Sequence, residues 1–445
     1  MDERVRRLAE CFQRVLGEEA LALGRELGLR NRKLKVTELV ATLVLGWWAD
    51  PEATRAELAA RAAEWFDVDL SPQALSGRLS AQVEELLRRL LDRALAQVVD
   101  REPTALPILD RFPAVFLDDA TSLALPDELR DRYPGCGNQR AEAARAGLKG
   151  LVRLEVRSGA LAAIVPGAGR DNDVALARRL PPPPPCSLLL RDRGFFDTAA
   201  LAALGRAQVF WLTRLPTGLT LAVTPDGTRQ ELADFLRRQR GDQIDMRAWL
   251  GAQGLPCRLL AQRCPPEVAQ RRRRQLKQTT RRKTGRQPTR RQLTLCDWFV
   301  LVTNLPQTWL TLAEALVLYR VRWQIEIVFK GYKSDGGLDR SRARRGTPRL
   351  VELWAKWLAR VLEHWVLLRH GGPLSLQSWR SRLRHLRRSV PQLAAAVFGR
   401  LDRLAATLTT ILRRLGRLPR KPRRRKHPGT RELLENPKRL IATLS

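Results

Sequence analysis

Residues Tyr319 to Lys333 read YRVRWQIEIVFKGYK, and how this stretch is placed decides the rest of the chain. On a helix advancing about 100° per residue, Tyr319, Arg322, Glu326, Lys330 and Lys333 fall within an arc of roughly 80°. Val321, Ile325, Val328 and Tyr332 fall on the other side. One face then carries a single carboxylate among cations and a tyrosine, while the opposite face packs on a core. The same pattern describes a solvated stripe on an ordinary amphipathic helix. It also describes a metal ligand held beside phosphate-binding groups.

Composition narrows the partners. The 445 residues carry a formal net charge of +34, with 44% hydrophobic residues, so the chain has material for a sizeable core and for more than one domain. A folded protein this basic implies a polyanionic partner, nucleic acid first and a membrane surface second. No apolar run approaches the roughly 18 residues that would span a bilayer, and Met1 leads into charged DERVRRLAE instead of a secretory signal. A cytoplasmic, nucleoid-associated protein is the expectation. The six cysteines are scattered without a CxxC pair, and all four histidines, His364, His370, His385 and His427, follow Glu326. Neither set supplies a zinc site or an early catalytic triad, so hydrolytic chemistry has to rest on carboxylates and metal.

Working outward, the first hundred residues read as helices, with capping signals at Thr54/Glu57 and Ser71-Pro72. Strands are predicted at AVFLDD, at LVRLEVRS and ALAAIVPG around a Ser158-Gly159 turn, at Ser187 to Leu190, and at VFWLTRL, LTLAV and Asp297 to Thr303. Pro181 to Pro185 is a stiff loop. Arg271 to Arg291 holds eleven Lys or Arg and no carboxylate, which predicts a self-repelling loop or arm ordered by nucleic acid. Thr311 and Glu314 cap the helix that contains the opening stretch, tryptophan-rich helical sequence follows, and the chain closes on a basic, proline-bearing tail.

Phosphodiester chemistry with two metal ions needs carboxylates converging from separate elements, because the ions sit on both the attacking and the leaving oxygen. Asp119 in FLDDATSL and Asp192 in LLLRDRGFF each follow an apolar strand, where side chains emerge beside a crevice in an open sheet. Asp118 is a rival to Asp119: strand alternation sends the two to opposite faces, and a register error would exchange them. Asp171 and Asp173 in GRDNDV suit local turn bonding instead.

The spacing Tyr, two residues, Arg, three residues, Glu, six residues, Lys, filled here by Tyr319, Arg322, Glu326 and Lys333, resembles the signature of the insertion-sequence-four family of bacterial DDE transposases. Asp119-Ala120-Thr121-Ser122 and Asp192-Arg193-Gly194 resemble that family's two aspartate segments. The resemblance covers roughly 112–345. It implies an α/β fold with a ribonuclease H-like catalytic core, a β-strand insertion, and helical N- and C-terminal domains. The corresponding ranges are a helical DNA-binding domain at 1–105, core at 106–204, β-rich insertion at 205–305, the remaining core with the glutamate helix at 306–372, and a helical C-terminal region and tail at 373–445. It implies a catalytic and metal-binding set of Asp119, Asp192 and Glu326 with two Mg2+ ions, which Mn2+ can replace. Tyr319, Arg322, Lys330 and Lys333 are expected to hold DNA phosphates, and Trp298 to stack on a base turned out of the duplex unless it is a core aromatic. The expected partners are double-stranded DNA, as terminal inverted repeats and target, and a second copy of the chain. The expected reaction is cut-and-paste transposition through a DNA hairpin. A catalytically inactive DNA-binding relative, a repressor or inhibitor, is the alternative.

Overall fold

The computed structural model describes residues 2–97, 99, 106–136, 146–216, 219–222, 227, 229–343, 345–369, 374–375, 377–420 and 429–437. His370, His427 and the basic segment 421–428 lie outside them. Strands are β1 (Val115–Leu125), β2 (Ala146–Glu155), β3 (Leu161–Ala168), β4 (Leu188–Arg191), β5 (Phe210–Arg214), β6 (Thr220–Ala222), β7 (Gln230–Glu231), β8 (Gln243–Leu250), β9 (Leu255–Arg263) and β10 (Trp298–Thr303). The chain divides into two compact units, Met1–Thr104 with Ala120–Leu180 and Gln324–Pro422, and Ala105–Asp119 with Pro181–Trp323 and Arg423–Ser445. It crosses between them inside β1 and again within the opening stretch. Among the described residues no helix is long and apolar enough to cross a membrane.

In the first unit the N-terminal segment is helical as its periodicity predicts. Thr54 and Ser71 accept the backbone N–H groups of Glu57 and Ala74, which would otherwise lack helical partners. Helix Val36–Ala49 and helix Ala81–Leu95 pack on Gly346–Leu368, a helix buried on every face. Several of its buried charged groups are paired. Lys356 donates to Glu352 at 2.5 Å and to the Arg340 carbonyl at 2.7 Å, and Arg360 pairs with Glu363 at 2.6 Å. Trp48 donates its indole N–H to Glu363 at 3.0 Å. Charges this deep persist only when partnered, which is why a tryptophan-rich helix also carries Glu, Lys, Arg and His.

The β2–β3 hairpin of the same unit turns at Ser158-Gly159 as the sequence predicts, with Gly159 at φ +70°. Gly150 in β2 lies under Trp357, where an added Cβ would sit 3.0 Å from the indole. The missing side chain lets strand and helix approach.

In the second unit β1, β4 and β5 run parallel, and β10, β9 and β8 continue antiparallel before β6 and β7. Strand β4, Leu188 to Arg191, is buried throughout, as expected for a parallel strand covered on both faces. The core gathers Trp211, Leu221, Leu236, Leu250, Leu259 and Trp298.

Three elements depart from the sequence expectation. Strand β1 continues past Asp119 to Leu125, because Thr121, Leu123 and Leu125 are buried while Ser122 and Ala124 are exposed; that alternation is itself a strand pattern. Strands β8 and β9 form a long hairpin that the sequence reading passed over. The Arg-rich segment is not a loop: Pro266–Thr284 is a helix, with Pro266 in its first turn, Glu267 near its positive end and Gly285 closing it at φ +70°. Tertiary contacts with its cationic side chains offset the repulsion. Arg272 donates to the Trp298 carbonyl at 3.0 Å and lies 4.9 Å over the Phe299 ring, and Arg273 pairs with Asp297.

Candidate active site

The opening stretch is helical, with Thr311 and Glu314 forming its capping box. Val321, Ile325, Val328 and Tyr332 are buried, as the periodicity requires. The helix is less regular than one continuous α-helix: Leu312–Val321 ends at Arg322, Trp323–Lys330 resumes, and Gly331–Asp335 widens into a π turn. Tyr319 and Arg322 belong to the second unit with Asp119 and Asp192, whereas Glu326, Lys330 and Lys333 belong to the first.

Parallel pairing of β1 with β4 sets Asp118 opposite Arg191, so Asp119 and Asp192 follow as the next residues of adjacent strands. Asp118 is fully buried and accepts from Arg191 Nε and Nη2 at 3.0 and 2.8 Å. Asp119, on the other face, has a side chain 22% exposed, with the Arg322 guanidinium 3.7 Å away. The two neighbours therefore differ in kind: one carboxylate is consumed by a buried ion pair and the next is accessible to a ligand.

Asp192 leaves β4 into a short 3-10 turn, and Tyr319 donates its hydroxyl to Asp192 Oδ1 at 3.0 Å. Burial alone would raise the Asp192 carboxyl. The Arg193 N–H, the charge of Arg322, the Tyr319 hydroxyl and the charge of Arg214 together outweigh it and hold the group below the usual carboxylate range. Asp192 is thus poised as an anion. Tyr319 shifts upward, through burial first and then its anionic neighbour, so it remains a donor at any ordinary pH.

Arg214 is a functional candidate that the sequence reading missed. It ends β5, one position beyond Thr213, which pairs with Arg191, and so lies level with Asp192. Burial lowers its pKa from the usual arginine value, while Tyr319 and Asp192 act the other way. The only signal in sequence was an arginine closing an apolar strand, VFWLTR. The site of the second unit is therefore two adjacent carboxylates ringed by Tyr319, Arg322 and Arg214.

On the first unit, Glu326 and Lys330 are exposed on the helix. Lys333 donates to the Ser122 carbonyl at 2.9 Å, and burial lowers its pKa below the ordinary lysine value. Asp171 and Asp173 serve the β2–β3 region: Asp171 accepts the Ala168 N–H at 2.7 Å and Asp173 pairs with Lys149 at 2.8 Å. Trp298 does not stand open to a base. It is 2% exposed in the core of the second unit, with the Arg263 guanidinium 4.4 Å over its ring. As placed it is a core aromatic, because its side chain lies on the packed face of the sheet, within the hydrophobic cluster that holds Leu236, Leu259 and Val300.

Two accessible carboxylates level with each other on neighbouring strands, with the Arg322 guanidinium beside Asp119 and the charges of Arg322 and Arg214 acting on Asp192, suit a hard divalent cation, which takes oxygen ligands. Among the described residues no three His, Cys, Asp or Glu side chains already form a metal cage.

The family model "Transposase DDE domain" matches residues 110–362. A transposase for insertion sequence element IS231F of Bacillus thuringiensis subsp. israelensis is 25% identical over 382 residues, 81% of this chain and 79% of that protein. A second, for element IS231C of Bacillus thuringiensis subsp. berliner, is also 25% identical, over 70% of this chain and 69% of its own length.

Proposed function

The chain belongs to the transposase DDE domain family, and from that premise we propose that it cuts DNA at the ends of an insertion sequence and joins those ends to target DNA, with Asp119, Asp192 and Glu326 as its catalytic carboxylates. The observation that carries the assignment is the coupling of the two aspartates to the opening stretch: Tyr319 to Asp192 at 3.0 Å and Arg322 to Asp119 at 3.7 Å. A mere solvated stripe gives no reason for that double contact. The parallel β1, β4 and β5 and the antiparallel β2 and β3 support a ribonuclease H-like core, with 205–305 as its insertion and 1–105 as a helical DNA-binding domain.

Enzymes of this family use divalent metal ions. Two Mg2+ ions, replaceable by Mn2+, would be held by Asp119, Asp192 and Glu326 and would supply activation of the attacking oxygen and neutralisation of charge at the leaving one. The protein's own groups do the positioning. Arg322 offers a planar fork to a phosphate and Lys333 and Lys330 point charges, while Tyr319 keeps Asp192 ionised and oriented. Arg214 adds a further cation on the Asp192 side. Water cuts first at the element end; the freed 3'-hydroxyl attacks the opposite strand to close a hairpin; water reopens it; the 3'-hydroxyl then attacks target DNA. Each step is an in-line displacement at phosphorus, and no covalent protein intermediate is needed. Because two ends have to be brought together, a homodimer on DNA is the working assembly.

The test is to incubate the protein with the DNA flanking its own reading frame, in Mg2+, Mn2+ or EDTA, beside Glu326→Gln. Metal-dependent breaks at both ends of an inverted repeat, absent from the variant, establish the reading, and hairpin-ended fragments establish the excision route. Equal binding by both proteins without cuts under any metal overturns it in favour of a noncatalytic DNA-binding protein.

A further inference from the structure

We propose that the Arg-rich helix Pro266–Thr284 is a phosphate-backbone clamp for the duplex engaged at Asp192, a surface that binds double-stranded DNA by charge and reads no bases. This rests on the reading of the chain as an enzyme acting on DNA and adds to it a second contact, outside the carboxylate site.

The helix has two unlike faces. Arg272, Leu276 and Thr280, spaced four apart, are partly buried against the rest of the unit. Arg272 is held there by the Trp298 carbonyl, Cys264 Sγ at 2.8 Å and the Phe299 ring. Arg271, Arg274, Lys277, Arg281 and Arg282 are exposed on the opposite side, within an arc of about 140° and along about 16 Å of helix axis. None of these five is drawn into an ion pair among the described residues, and Glu267 is the one carboxylate of the helix. Holding five like charges on one rigid ridge is costly unless a polyanion answers them. The fold spends Arg272 and Arg273 as anchors to present the others.

The register of the sheet places the root of this ridge. Asp192 leaves β4 level with Arg214 of β5, and Arg214 pairs with Leu301 of β10. Trp298, which anchors Arg272, lies three residues further along β10 toward the same end of the sheet. Two strand spacings and three residues of rise put Trp298 about 14 Å from Asp192. Arg272 is near enough to depress the Arg214 pKa by charge repulsion. The ridge thus begins beside the carboxylate site, where a duplex presented for cutting has to pass. A ridge of like charges at helical spacing matches the repeating charge of the phosphate backbone whatever the sequence, so backbone contact is the recognition proposed for it, and the comparison of two unrelated duplexes tests whether Gln270, Gln275, Gln278 or the arginines read bases as well.

The experiment compares wild type with Arg271→Gln, Arg274→Gln, Lys277→Gln, Arg281→Gln and Arg282→Gln combined, glutamine being a good helix former. Fluorescence anisotropy in metal-free buffer reads binding to a duplex carrying the element end and to an unrelated duplex, across 50 to 200 mM salt. Each neutralised phosphate contributes about 0.9 to the slope of log K against log salt, so the variant's slope should be shallower by up to about 4.5, equally on both duplexes. A variant with lysine at the four arginine positions should keep the wild-type slope, which separates charge from misfolding; far-UV circular dichroism checks the helix. An unchanged slope in the glutamine variant overturns the proposal, as does a loss confined to one of the two duplexes. Failure of the parent reading looks different: the wild type cuts no DNA in any metal, whatever the slopes do.

Discussion

His364 makes the structure testable without any substrate. The ring is wholly buried in the first unit, its Nδ1 2.8 Å from the Tyr332 hydroxyl and its Nε2 against the Gly159 carbonyl. A carbonyl can only accept, so Nε2 carries the proton and Nδ1 accepts from the tyrosine. The imidazolium is disfavoured here: protonation would place a charge in a wholly buried site and oblige the Tyr332 hydroxyl to turn from donor to acceptor. Burial first, then the charge of Arg382, pushes the His364 pKa from 6.5 down to about 4, although the Gly159 carbonyl acts the other way. The unfolded chain therefore binds the extra proton between those values. The stability this neutral histidine protects is complete above pH 6.5 and is lost as the pH falls toward about 4. Linkage gives a loss of about 2 kcal/mol at pH 5 and roughly 3 kcal/mol once the pH is below both values. His364→Gln can donate to Gly159 and accept from Tyr332 without titrating. Urea unfolding followed by tryptophan fluorescence, at neutral pH and at pH 5, isolates the term as a difference between the two proteins. The wild type should lose about 2 kcal/mol more than the variant. Parallel pH dependence of the two would refute both the tautomer assignment and the buried site.

Three other outcomes follow from the second unit. Asp118→Asn strands the Arg191 guanidinium in a buried position and should cost about 3 to 5 kcal/mol in chemical denaturation, whereas Asp119→Asn should leave the denaturation curve within about 0.5 kcal/mol and abolish metal-dependent cutting; the opposite pattern would exchange the two aspartates. Tyr319→Phe removes the hydroxyl on Asp192, so that carboxyl rises toward its ordinary value and the acidic limb of the single-turnover cleavage profile moves to higher pH, with a rate loss of about tenfold at neutral pH; an unmoved limb would mean that Asp192 is not the titrating ligand. Arg214→Gln should weaken binding of DNA without changing which sequence is bound, and a changed sequence preference would contradict a phosphate contact.

Much of the local structure is written in the sequence because its causes are local. The capping boxes at Thr54 and Thr311 need only a residue and its third neighbour, and the buried side of the opening stretch needs only the helical period. The alternation after Asp119 was equally local and marks where β1 runs on to Leu125, so that boundary was readable in principle. The spacing of Tyr319, Arg322, Glu326 and Lys333 likewise carries the family resemblance, and the chemistry to expect is what that resemblance implies.

Tertiary structure decided what those residues touch. Whether Asp118 or Asp119 is open to a ligand depends on Arg191, 73 residues away in a parallel neighbour, and the hydroxyl on Asp192 comes from 127 residues further along the chain. Arg214 reaches the site through strand register, which no window of sequence contains. Trp298 shows the limit from the other direction: its place in the chain suited a stacking surface, and packing in the hydrophobic cluster of the second unit made it core. The Arg-rich segment, repulsive by itself, became a helix because Trp298, Phe299 and Asp297 take hold of Arg272 and Arg273. Sequence determined periodicity, caps and the set of reactive groups, which depend on neighbours within a turn or two. Only the folded chain could decide pairing, burial and charge state, because those energies belong to contacts between residues that the sequence keeps far apart.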